Sequence, residues 1–244
     1  MPTSQKSFQA RYDKFLNGNS LIQSYLDYAS SNPIITKAAL TAYVAAVLAA
    51  NNLVTSTEDA MNTQRDDRHA LVFRIKDTNP ACLELRIAEI HSYLSSELGS
   101  TDSTTKKVGR ILAKIRPHYK KKDPNAPPVK TTSPSEKSYN SAPGFGDAVI
   151  TLITGLGVSY VPVDTNLTVA NMTTLLASIR LSNKNIILAE DAYKKANKSR
   201  KDLYENSVTG MDKRITQIKS YLASFAGGKK SPHYVAYAAA IKGV

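Results

Sequence analysis

The chain is expected to fold as an all-α protein, a tandem duplication of a helical bundle. Each copy should carry one long helix of ~40 residues plus shorter helices, and the copies should be related by a pseudo-two-fold axis. Three observations predict this. The first is an internal repeat. "IHSYLSSELGSTDS" from Ile90 and "IKSYLASFAGGKKS" from Ile218 share Ile90/Ile218, Ser92/Ser220, Tyr93/Tyr221, Leu94/Leu222, Ser96/Ser224, Gly99/Gly227 and Ser103/Ser231 at an offset of 128. Upstream, an offset of 132 aligns Thr36/Thr168, Ala45/Ala177, Asn51/Asn183, Asp59/Asp191, Ala60/Ala192, Arg68/Arg200 and Leu71/Leu203. The second is a seven-residue ladder: Leu40, Val47, Val54, Met61, Arg68 and Ile75 in one copy, and Met172, Ile179, Ile186, Tyr193 and Arg200 in the other. Such a repeat keeps one stripe of a long helix facing a partner. The third is punctuation. Only 11 Gly and 11 Pro occur in 244 residues, and the prolines fall at segment ends.

The elements follow in order. Residues 20–30 read as a short amphipathic helix closed by "SNP". Residues 36–76 contain no Gly or Pro, so a helix of about 60 Å is predicted there at 1.5 Å per residue, before the length difference at "KDTNPAC". Residues 80–98 open on a helix-compatible proline and stop at Gly99. Residues 103–115 make a basic helix ended by Pro117. The second copy answers with 147–155, a long helix over 168–206, then 211–226 closed by Gly227 and Gly228, and 231–242 with Pro232 in its first turn. Between the copies lies 116–144, with Pro117, Pro124, Pro127, Pro128, Pro134 and Pro143 and no large aliphatic residue except Val129. That composition cannot bury a core and reads as a connector. The expected organisation is therefore 1–115 as the first repeat, 116–144 as a basic linker and 145–244 as the second repeat.

Charge narrows the partners. The net charge is +12; residues 1–100 hold 9 basic against 10 acidic groups, 101–137 hold 10 against 3, and 138–244 hold 13 against 7. The excess attracts polyanions of any kind, nucleic acid included. The candidate polyanion-binding residues are Lys106, Lys107, Arg110, Lys114 and Arg116 on and after the basic helix, then Tyr119, Lys120, Lys121, Lys122 and Lys130. Lysines on an extended strand neutralise phosphates without sequence preference, and Tyr119 is placed to stack on a base. The competing reading is a solvated hinge kept soluble by its charge. The segment "KKDPNAP", Lys121 to Pro127, resembles the lead-in of the HMG box, a family of minor-groove DNA benders. The continuation "PVKTTSPSEKSYNS" lacks that family's helices and tryptophan, so no residue role carries over.

Four polar residues interrupt the apolar ladders: Asn51, Arg68, Asn183 and Arg200. Buried arginines require partners. Asp59 and Asp191 stand nine residues away on the same helices, so carboxylates or helix-end carbonyls from another helix are expected instead. An amide on such a seam is read as a register device.

Catalytic signatures are thin. His69, His91, His118 and His233 are scattered, and the Asp66/His69 pair becomes Lys198 and Lys201 in the other copy. "GFG" and "GLG" lack the context of a nucleotide loop, and no G-x-S-x-G occurs. The single cysteine, Cys82, reads as a small buried apolar residue. No enzyme activity and no cofactor or metal are expected. The N-terminus has no apolar signal region, and the longest apolar stretch, "AVITLITGLGVSYV", is short of a bilayer and broken by glycines. A cytoplasmic protein without a membrane span is expected.

"LTVANMTTLLASI", "VTGMDKRITQIKSYLASF" and the closing "KSPHYVAYAAAIKG" together resemble a group of two-copy helical proteins from flavobacteria-like bacteria. That resemblance implies the duplicated helical fold and carries no known activity. The function expected from the residues is a non-catalytic scaffold that contacts a protein partner or itself through long helical faces. The alternative is a sequence-tolerant nucleic-acid-binding protein using the basic linker and second repeat.

Overall fold

A computed structural model describes residues 3–73, 81–115 and 141–244. The described residues form eight α-helices and no strand. They are α1 (Thr3–Ser24), α2 (Lys37–Val72), α3 (Leu83–Glu97), α4 (Ser103–Ile115), α5 (Ser141–Thr154), α6 (Val169–Glu205), α7 (Met211–Leu222) and α8 (Pro232–Ala240). The two long helices have 36 and 37 residues, about 54 Å each.

The ladder residues point inward. Leu40, Val47, Val54, Met61 and Arg68 of α2 are buried, as are Met172, Ile179, Ile186 and Arg200 of α6. Ile75 lies outside the described residues. α3 buries Leu83, Ile87, Ile90 and Leu94, and α7 buries Met211, Ile215, Ile218 and Leu222. Both helices stop at the glycines expected: Gly99 at φ 86° and Gly227 at φ 89° take the left-handed conformation that other residues resist.

Two short elements differ from expectation, and close packing explains both. α1 runs over Thr3–Ser24 rather than 20–30, straight through Gly18. A Cβ on Gly18 would sit 2.8 Å from Ile241 and 2.9 Å from Tyr237, so this glycine lets α1 and the end of α8 touch. α5 begins at Ser141 rather than 147, taking in Pro143, Gly144 and Gly146 from the expected linker. Pro143 sits in the first turn, where its missing N–H is harmless. Gly146 faces Leu176, whose Cδ2 would lie 2.3 Å from an added Cβ. The rest of the expected linker, 116–140, falls outside the described residues.

The chain divides into two compact units, Met1–Ala60 with Ala189–Val244, and Met61–Leu188. These units cut across the segments 1–115 and 145–244, because both boundaries fall inside the long helices. The first unit has a core of Phe15, Ile22, Leu40, Val47, Tyr204, Met211, Leu222 and Tyr237, among others. The second has its own, including Val72, Leu83, Ile87, Ile90, Val108, Val149, Met172 and Ile179.

Contacts within the two units recur at fixed offsets. Tyr28 Oη donates to the Ile35 carbonyl, and Tyr160 Oη, 132 residues on, to the Leu167 carbonyl. The amide of Ala29 donates to Tyr221 Oη, and that of Val161 to Tyr93 Oη. Tyr28 packs edge-on against Tyr221 at 4.9 Å, as Tyr160 does against Tyr93 at 5.4 Å.

Candidate functional site

The basic helix α4 shows how one amphipathic segment divides its work. Thr105, Val108, Leu112 and Ile115 are buried in the core, which leaves Lys106, Lys107, Arg110 and Lys114 exposed on the other side. Spacing of three and four residues puts Lys107, Arg110 and Lys114 on one face. Asp102 holds the N-terminus, accepting from the amides of Thr104 (2.7 Å) and Thr105 (3.1 Å). Those bonds draw its carboxyl below the usual carboxylate value. Arg116, Tyr119, Lys120, Lys121, Lys122 and Lys130, the remaining polyanion candidates, lie outside the described residues.

The four polar seam residues are all buried, between 5% and 7% exposed. Arg68 Nε donates to Asn183 Oδ1 at 2.6 Å, so two of the four meet. This partner is an amide on α6, where a carboxylate or helix-end carbonyl was expected. Asn51 instead donates from Nδ2 to Tyr204 Oη at 3.2 Å, and Tyr204 Oη donates on to the Phe8 carbonyl at 3.0 Å. Arg200 lies over the Phe8 ring, 4.3 Å from its centroid, and gives one N–H to Asn197 Oδ1 at 2.7 Å. Its Nε has no hydrogen-bond partner among the described residues. Burial lowers the Arg200 pKa, against the pull of Tyr204, Tyr193 and Glu58.

The long helices also carry exposed apolar residues. Residues 38–57 of α2 contain no charged side chain, and on its outer face Ala42, Ala46, Ala49, Leu53 and Ser56 are all exposed at alternating spacings of four and three. Leu48 is exposed beside them. α2 is long and apolar enough to cross a membrane by length and composition alone, a test that soluble core helices also pass. Its inner face, through Leu40, Tyr43, Val44 and Val47, belongs to the core of the first unit. On α6, Leu181 and Leu188 are exposed at 60% and 59%.

Two clefts lie within the second unit. One, of about 510 Å³, is lined by Asp147, Arg180, Asn183, Lys184, Ile187 and Leu188 among others. Arg180 donates to both carboxylate oxygens of Asp147 at 2.6 Å, so its charge is already matched. The other, of about 300 Å³, opens in front of Arg86 and is walled by Ala81, Asn166, Leu175 and the hydroxyls of Thr174 and Ser178. Sequence reasoning did not single out Arg86. The signal was present: at the offset of 128 it pairs with Arg214.

Among the described residues no group of three or more His, Cys, Asp or Glu side chains comes together. Cys82 is fully buried at the start of α3, where desolvation pushes its thiol up and the neighbouring backbone amides partly offset the shift. No protein-family model, curated protein or solved structure matches this chain.

Proposed function

We propose that this chain is a tandem-duplicated, non-catalytic helical scaffold that associates with a second copy of itself through the outer face of α2. The duplication is supported by agreement of element starts: α2 and α6 begin at Lys37 and Val169, 132 apart, and α3 and α7 at Leu83 and Met211, 128 apart. The recurring tyrosine contacts support it further.

The observation that carries self-association is the charge-free outer face of α2. Ala42, Ala46, Ala49 and Ser56 form a narrow, shallow seam with Leu53 as its one large knob, a surface that a like helix can approach closely. Because the surface is self-complementary, a two-fold pairing of identical faces is the simplest arrangement. Sedimentation velocity over a range of concentrations tests it. A monomer–dimer equilibrium is expected for the native chain, and the substitution Ala49→Glu should abolish the dimer without altering helix content. A native chain that stays monomeric throughout would overturn the proposal.

The exposed basic face of α4 favours a second reading, sequence-tolerant binding of nucleic acid. It calls for binding of a labelled oligonucleotide that weakens linearly in log Kd against log salt, and for loss of affinity in a Lys107→Gln, Arg110→Gln, Lys114→Gln triple variant. Binding that is unchanged in that variant would leave α4 without the role.

A further inference from the structure

The cleft in front of Arg86 has a counterpart in the other unit, and there it is filled. Arg214 stands 128 residues after Arg86. Its guanidinium lies over the Tyr43 ring, 4.2 Å from the centroid, with Nε donating to the Thr209 carbonyl at 2.9 Å and a second N–H to the Ile34 carbonyl. Tyr43 is buried, and its hydroxyl donates to the Leu203 carbonyl.

Each of these neighbours maps onto the wall of the open cleft. Thr209 corresponds to Ala81 at the offset of 128, and Ile34 corresponds to Asn166 at 132. Tyr43 corresponds to Leu175. Replacing a phenol ring by the shorter leucine side chain leaves space where the ring would stand, and about 300 Å³ is empty there. The wall has also become more polar. Ala42 and Ala46 of the filled unit are matched by Thr174 and Ser178, whose hydroxyls donate to carbonyls of their own helix and keep lone pairs to offer.

Arg86 is held ready. Its NH1 lies 2.9 Å from Glu89 Oε2 and 3.6 Å from Asp164 Oδ2, and its side chain is only 12% exposed. Two carboxylates on one guanidinium disfavour an anionic ligand. A ring face on the guanidinium remains favourable, as a cation over an aromatic surface is. The volume is ample for one ring, since an apolar cavity of ~150 Å³ suffices for benzene.

We propose that the cleft between α3 and α6 is a binding site for a small neutral phenol, which stacks on Arg86 in the place that the Tyr43 ring takes on Arg214. The correspondence on which this rests is the duplication proposed above, and the test separates the two. The probe is p-cresol, which is the tyrosine side chain itself, titrated into the whole chain and followed by NMR at the Leu175 methyls and the Arg86 Nε–H. The control is 4-methylcyclohexanol, of similar outline but without a π face. Saturable shifts at both residues are expected with a Kd of about 1 mM, as roughly eight non-hydrogen atoms allow, and the control should bind at least ~10-fold more weakly.

The variant Leu175→Tyr should abolish these shifts by filling the cleft from within, and should raise Tm. No shift at either residue up to the solubility limit of p-cresol, or equal binding of the control, overturns the phenol site. A rise in Tm for Leu175→Tyr alongside no p-cresol binding would keep the duplication and remove the ligand. A fall in Tm alongside specific binding would keep the site and remove its derivation from the repeat. If the variant does not fold, the contrast between p-cresol and the control on the native chain still decides the proposal.

Discussion

The buried seam of the second unit joins an arginine to an asparagine; that of the first keeps the same two residue types apart. In the second unit Arg68 Nε reaches Asn183 Oδ1 directly, at 2.6 Å. In the first, the equivalent amide, Asn51, is taken by Tyr204, and Arg200 rests on the Phe8 ring with Nε left without a partner among the described residues. The difference traces to one position. Tyr204 stands 132 residues after Val72, so the first unit has a hydroxyl where the second has only methyl groups. That hydroxyl bridges Asn51 to the Phe8 carbonyl and occupies the acceptor an arginine would otherwise use. Equal sequence at a seam does not fix equal pairing; the residue beside it decides which polar groups meet.

Four measurements sharpen or break this contrast. The largest effect is expected for Asn183→Leu, which strips a buried cation of its acceptor and should cost about 2–3 kcal/mol in urea unfolding. Asn51→Leu, which removes only a neutral bond, should cost about 1 kcal/mol. Equal losses would mean the two seams are energetically alike. Next comes Tyr204→Phe, expected to cost about 1–2 kcal/mol because it leaves both Asn51 and the Phe8 carbonyl without their hydroxyl. Arg200→Met should be nearly neutral or slightly stabilising, since a buried guanidinium with an unmet N–H is replaced by an apolar chain of similar length. A loss as large as that of Asn183→Leu would show that the Phe8 contact holds the first unit together.

The smallest effect concerns the helix caps, which also differ between the halves. α8 is capped by the Ser231 hydroxyl, which accepts from the Tyr234 amide, whereas Asp102 caps α4. The Asp102 carboxyl is lowered in the folded state, so its contribution to stability is present above the ordinary carboxylate pKa and is lost as pH falls through the lowered value. Carboxyl NMR should show Asp102 titrating below the usual range, with the α4 amides moving in step and the α8 amides unmoved. Titration of both helices together would break the distinction.

Much of the fold was legible in the sequence because a long helix advertises itself. The ladders of α2 and α6, the glycines after α3 and α7, and Pro232 behind the Ser231 cap are local signals that need no partner to be read. The early start of α5 and the passage of α1 through Gly18 were not legible, since glycine reads as a breaker until a neighbour such as Tyr237 or Leu176 is known to press against it. The seam residues were found as exceptions to the ladder, but not their partners. Arg86 escaped because nothing in its own neighbourhood marks it; only its match with Arg214, and the exchange of Tyr43 for Leu175, sets it apart.

By itself the sequence determined that this protein is helical, where its long helices run, and which stripe of each is buried. Those follow from the period of apolar residues and from residues with fixed backbone preferences. The tertiary structure decided how the long helices are shared between two compact units, which polar groups pair along the seams, and where a ring-sized space is left open. Each of those depends on side chains more than a hundred residues apart in the chain, whose meeting is set by packing and by the single neighbours that fill or fail to fill a gap.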